Sequence, residues 1–358
     1  MIESIIPLTE FITYVLFSFL TGHVALQFVP KSKKPVTKIP KPVLLLAALG
    51  IIVFSLPPAL QVVFYFGDGF GVETLSLFTQ FEVGISWIFI GFMATLLWMT
   101  IYVEGSKYIQ AFLILLMILA VGYASHGASL AFWPGFISHS VHFFAVTLWT
   151  GILLHVGWIA KEVKVWGAFL KWFTPLAIGC LLLLTASGLT VMSLMVDFRD
   201  YANSWALTYG QMLLLKHISI IPILAFAIIN GILAKKIKEN EDFEPQQWIQ
   251  AETIFLMFAF FFTGIMGTLQ PPHQVNFTIQ SDGAASWVVS LIGKEITAPF
   301  QIQFSPSLQG ILVGIMAIFF FALLFVSFYK KTKASIALLF GICFMIAFYL
   351  GIMLNITV

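Results

Sequence analysis

Three histidines, His139, His142 and His155, interrupt the otherwise almost wholly apolar run from Phe136 to Ile159. An imidazole inside a bilayer-length run is costly, so its presence marks a candidate site. Neutral imidazole ligates copper, zinc and haem iron. Thioether sulfur favours Cu(I), and Met192, Met195, Met212 and Met266 recur in neighbouring apolar runs. Metal binding, haem ligation and plain packing are the three chemistries these residues permit.

Such residues must be positioned by membrane helices. Of the 358 residues, 60% are hydrophobic and 9% charged, a composition of polytopic membrane proteins. A bilayer core takes about 20 apolar residues per helix. Ten runs qualify, near 8–28, 42–66, 80–102, 107–124, 137–160, 168–195, 209–234, 249–270, 308–328 and 335–355. The predicted fold is all-α, a polytopic transmembrane bundle of about ten spans. Lysines orient it. Lys31, Lys33, Lys34, Lys38 and Lys41 follow the first run, Lys107 the third, and Lys161, Lys164 and Lys171 the fifth. Lys235, Lys236 and Lys238 follow the seventh, and Lys330, Lys331 and Lys333 the ninth. Every alternate loop is thus basic, which predicts both termini on the extracytoplasmic side. The segment MIESIIPLTE lacks the positive start of a cleaved signal, so the first run reads as a retained helix.

The same features exclude other classes. A net charge of +2, placed in short loops, argues against nucleic acid. No phosphate-binding GxxxxGK[ST] occurs, which argues against a nucleotide and an ATP-driven pump. Cys180 and Cys343 form no CxxC, so neither a thiolate site nor a disulfide framework is expected. The chain reads as a membrane protein that is not an enzyme.

This topology gives the histidines depths. His126, His139, His142 and His273 fall at the outer ends of their spans, and His217 lies about two turns inside the seventh. His23 and His155 are nearer the cytoplasmic ends. Met212 lies in the outer half of the seventh span, and Lys216 is the deepest lysine, suited to a carbonyl, a carboxylate or a haem propionate. Histidines at helix ends, the methionines and the tryptophans also suit interfacial or packing roles. On an ideal helix His142 and His155 are about 220° apart, so they face different sides unless Gly151 permits a kink.

Four blocks in order resemble the copper resistance protein D (CopD) family, which includes the YcnJ-type copper transport proteins. They are His142-x-x-Ala145-x-x-x-Trp149-x-Gly151, then FTPLAIGCLLLLTASGL with Ser187 and Gly188. YGQMLLLK, with Tyr209, Gly210 and Lys216, comes third, and AETIFLMFAFFFTGIMGTLQPP, with Glu252, Thr263, Pro271 and Pro272, last. The resemblance spans about residues 120–275. It divides the chain into N-terminal spans 1–105 of unassigned role, a CopD-like membrane domain 106–275, an extracytoplasmic loop 276–307 and C-terminal spans 308–358.

The resemblance implies copper transport or uptake across the cytoplasmic (inner) membrane of a bacterium. On that reading a His/Met site near the outer leaflet carries Cu(I) rather than Cu(II). The metal candidates are His142, His217, His139, His126, His273 and Met212, with His23 and His155 on the inner side and Lys216, Trp149 and Tyr209 in support. No room exists for the soluble CopC-like domain common in YcnJ-type members, which implies a separate extracytoplasmic copper donor. Two alternatives use the same residues. One is a di-haem b cytochrome with haems at His142/His217 and His23/His155. The other is a factor delivering copper to a respiratory oxidase without transporting it.

Overall fold

A computed structural model of the chain describes residues 2–66, 72–161, 165–233 and 245–358. Residues 67–71, Lys164, Lys235, Lys236 and Lys238 lie outside them. Among the described residues, nine helices are long and apolar enough to cross a membrane. A tenth apolar helix, Lys107–Tyr123, has 17 residues, the short limit for a span. The chain is therefore an all-α polytopic protein in a lipid environment, with two two-residue strands as its sheet. It divides into two units, Met1–Met195 and Val196–Val358.

The first unit begins with α1 (Ile2–Gln27). The second predicted span is two helices, α2 (Lys41–Phe54) and α3 (Leu56–Phe66), with the break at Ser55. Pro57 and Pro58 explain it. Neither has an N–H to continue the ladder, and each ring would clash with the carbonyl four residues back. After α4 (Val72–Gln80) come α5 (Glu82–Tyr102) and α6 (Lys107–Tyr123), the latter capped by Ser106, whose Oγ accepts from the Tyr108 N–H. Short α7 (His126–Leu130) leads into α8 (Phe132–Leu154) and then α9 (Trp166–Met195). Phe17, Leu20, Ile51, Leu97, Met117 and Ile118 fill the core of this unit.

Most of α8 is buried, whereas α9 is largely exposed. Leu46 and Leu182 remain more than 60% exposed, as expected of side chains facing lipid. Helix association in lipid depends on close packing instead of water exclusion, which favours small residues at contacts. Here α1 meets α8 through Gly22 and Gly151. A Cβ on Gly22 would lie 2.2 Å from the Gly151 carbonyl carbon, and one on Gly151 would lie 2.0 Å from the Ser18 oxygen.

The second unit contains α10 (Thr208–Ile228) packed on α11 (Pro245–Gly267), and a hairpin of α14 (Leu308–Tyr329) and α15 (Ala334–Met353). Between them the predicted outer loop holds two short helices, α12 (Val275–Asp282) and α13 (Ser286–Ile292). Antiparallel pairing of β1 (Gln303–Phe304) with β2 (Ile356–Thr357) ties this loop to the end of the chain. Gln211 anchors α10 to α15. It is fully buried, donates to the Trp205 carbonyl at 2.5 Å and accepts from Tyr349 Oη at 2.8 Å.

Candidate functional site

Helix α8 carries His139, His142 and, one residue beyond its end, His155. His142 is half-buried and reaches α9, where its Nδ1 lies 3.2 Å from Ser187 Oγ. That hydroxyl also donates to the Leu183 carbonyl at 2.5 Å. A hydroxyl contact of this kind orients the imidazole, as a metal ligand needs. Gly188 makes room: a Cβ there would meet His142 Cε1 at 3.2 Å. Ser187 and Gly188 therefore act as a pair, one orienting the imidazole and the other admitting it.

His155 is fully buried. The helix widens at this residue into a π-type turn over His155–Ile159, a local distortion often found at functional sites. Its Nδ1 donates to the Gly151 carbonyl at 2.7 Å, while Nε2 is buried without a hydrogen-bond partner. Phe19 of α1 stacks on the ring at a centroid distance of 5.0 Å, and His23, one turn further, lies at 6.1 Å. The predicted inner pair is thus brought together. Thr21, Trp149 and Thr150 near the same contact also hold buried polar atoms without partners.

In the second unit His217 is half-buried on α10, and Tyr201 Oη lies 2.7 Å from its Nδ1. Burial pushes the Tyr201 phenol up to about 12, so it stays protonated and can donate or accept as the imidazole tautomer requires. Lys216 and Met212 sit half-buried on the same helix, and Tyr209 is buried near its start. Deeper in this unit, Asn230 Nδ2 donates to Glu252 Oε2 at 2.7 Å and to the Trp248 carbonyl at 3.2 Å. Sequence reading did not single out Tyr201, Asn230 or Phe19. Tyr201 sits in an irregular connection with no periodicity to flag it.

The remaining candidates are more peripheral. His126 is exposed at the start of α7, His139 is half-buried, and His273 is exposed after Pro271-Pro272. Among the described residues, no three His, Cys, Asp or Glu side chains converge as a metal-binding group. Of the outer histidines, His142 and His217 each have a hydroxyl within hydrogen-bond distance.

Residues 167–266 match the family model described as Copper resistance protein D, CopD. This segment is similar to that family. It takes in most of α9, all of α10 and nearly all of α11. The Ser187-Gly188, Tyr209–Lys216 and Glu252 blocks fall inside the CopD match, whereas His142, Trp149 and Gly151 precede it and Pro271-Pro272 follow it. No curated protein and no solved structure matches the chain. The protein is accordingly a multi-pass membrane protein, of which residues 167–266 are similar to Copper resistance protein D.

Proposed function

We propose that this protein carries copper, as Cu(I), across the cytoplasmic membrane of a bacterium. The observation that supports this most is His142, whose imidazole is oriented by Ser187 of a CopD-matched helix. Neutral imidazole and thioether ligands suit a cuprous ion and add no charge to the bilayer interior. A singly charged ion is also far less costly to bury than a divalent one. In the first unit the outer stage is His126, His139 and His142 and the inner stage is His23 and His155. In the second unit the stage is His217 with Met212, with His273 at the outer connection. A copper-binding donor outside the membrane supplies the ion, and flow follows the gradient toward cytoplasmic copper sinks. Neither a nucleotide nor enzymatic turnover enters this scheme.

The di-haem alternative suits the inner pair poorly. Gly22, adjacent to His23, touches the Gly151 backbone directly, and a porphyrin is far too wide to enter between helices in such contact. An electron path with one of its two stations missing does not cross the membrane.

The test is uptake into vesicles that enclose a Cu(I) indicator. His142→Ala and His217→Ala should each lower the initial rate at least about tenfold, the lower range for losing an oriented metal contact. Wild-type rates in both variants reject the outer stage, and no uptake by the wild-type protein rejects the function. Tyr201→Phe removes the group that orients His217, so Cu(I) affinity should fall about tenfold with His217 intact. Competition against a chromophoric chelator measures it.

A further inference from the structure

We propose that His23 and His155 form a two-coordinate Cu(I) site at the contact of α1 and α8. The inference rests on the copper reading above and adds to it a specific inner binding site. Four observations carry it.

First, the buried His155 ring holds its proton on Nδ1, committed to the Gly151 carbonyl at 2.7 Å, and its Nε2 is left buried without a partner. Buried polar atoms are rarely left so, and a basic imidazole nitrogen in that state is a ligand in waiting. Second, the other ring is at the right distance. Two imidazole nitrogens each about 2 Å from one shared ion place their ring centroids about 6 Å apart, and the observed separation is 6.1 Å with planes 34° apart. Third, the position is built. Phe19 stacks on His155 at 5.0 Å from the same helix as His23, and the Gly22–Gly151 contact draws the two backbones together beside the rings.

Fourth, the donor set selects the ion. Among the described residues no third His, Cys, Asp or Glu joins the pair. Zn(II) takes four ligands as a rule, and Cu(II) prefers a tetragonal N/O set. A d10 monovalent ion accepts two neutral nitrogens in a line, and Cu(I) is that ion. The Lys34 ammonium is held on the Leu26 carbonyl, three residues beyond His23 on the same helix. A fixed cation near the site weakens retention of a bound ion and so favours its release.

The experiment is anaerobic Cu(I) titration of the purified full-length protein in lipid nanodiscs, with X-ray absorption at the copper edge. The His142→Ala/His217→Ala protein isolates the inner pair. It should bind one Cu(I) with the intense edge feature of linear coordination and imidazole-ring scattering from two ligands. Adding His155→Gln or His23→Gln should abolish that feature and weaken binding about 100-fold or more. Persistence of the linear signal in these variants overturns the site, as does a sulfur-dominated or four-coordinate shell in the isolating background. That second outcome needs no inner-pair variant to fold. If the wild-type protein takes up copper while the isolating background binds none, the inner site fails and the copper reading stands. If the wild-type protein binds no Cu(I), both fail.

Discussion

Alanine at Gly151 should cost about 3 kcal/mol or more of stability, whereas alanine at Gly179 should cost nothing measurable. The two substitutions are chemically identical and both fall in long apolar helices. They differ in what the added methyl meets. At Gly151 it would lie 2.0 Å from the Ser18 carbonyl oxygen and 2.7 Å from the Gly22 nitrogen, and at Gly179 nothing lies within 4 Å. The obstructing atoms at Gly151 are backbone, so no rotamer change relieves the clash, and α1 and α8 must separate. Overpacking in a tight contact costs roughly 1–3 kcal/mol where side chains can yield, and this contact has none to yield. Thermal unfolding of the detergent-solubilised variants, followed by tryptophan fluorescence and size exclusion, reads the difference. Equal midpoints for the two variants would remove the close α1–α8 approach from the account. Because the same contact sets the spacing of His23 and His155, Gly151→Ala should also weaken Cu(I) binding in whatever fraction remains folded.

How much of this was legible in the sequence varies with the range of the signal. The spans were written in apolar runs long enough for a bilayer, and the structure places a helix on each of the ten. The break at Ser55 is also a local signal, carried by Pro57-Pro58. His142 stood out as a polar residue in an apolar run, but its relation to Ser187, 45 residues away, needs the fold. Tyr201 was invisible because an irregular connection has no period to read. The inner pair shows the limit most clearly. His23 and His155 could be placed at similar depths by counting, but not on facing sides. Facing depends on the Gly22–Gly151 contact, and a small residue four positions from another is a frequent pattern in membrane helices. The expected obstacle, that His142 and His155 point to different sides of one helix, is no obstacle for two separate stages. His142 turns to α9 and His155 to α1.

His155→Ala should abolish transmembrane copper flux while leaving binding at the outer stage intact. A path through the membrane is a series of stations, and the flux is limited by the worst of them. Removing the inner imidazole leaves an apolar gap between the outer stage and the cytoplasmic end, about 20 Å at the rise of a helix from His142. A cuprous ion stripped of ligands over that distance faces the full cost of a bare charge in hydrocarbon. Flux should therefore fall by far more than the tenfold expected at the outer stage, to the level of protein-free vesicles. Outer-stage affinity should stay within a factor of about two, because sites this far apart contribute independently. A factor that only hands copper to another protein at the outer face predicts the opposite. It needs no inner station, so His155→Ala and His23→Ala would leave delivery to an acceptor protein unchanged. Measuring both vesicle uptake and outer-face transfer to a copper-free acceptor on one preparation separates the two. Loss of uptake with transfer preserved identifies a transmembrane path, and wild-type uptake in His155→Ala would remove the inner pair from it.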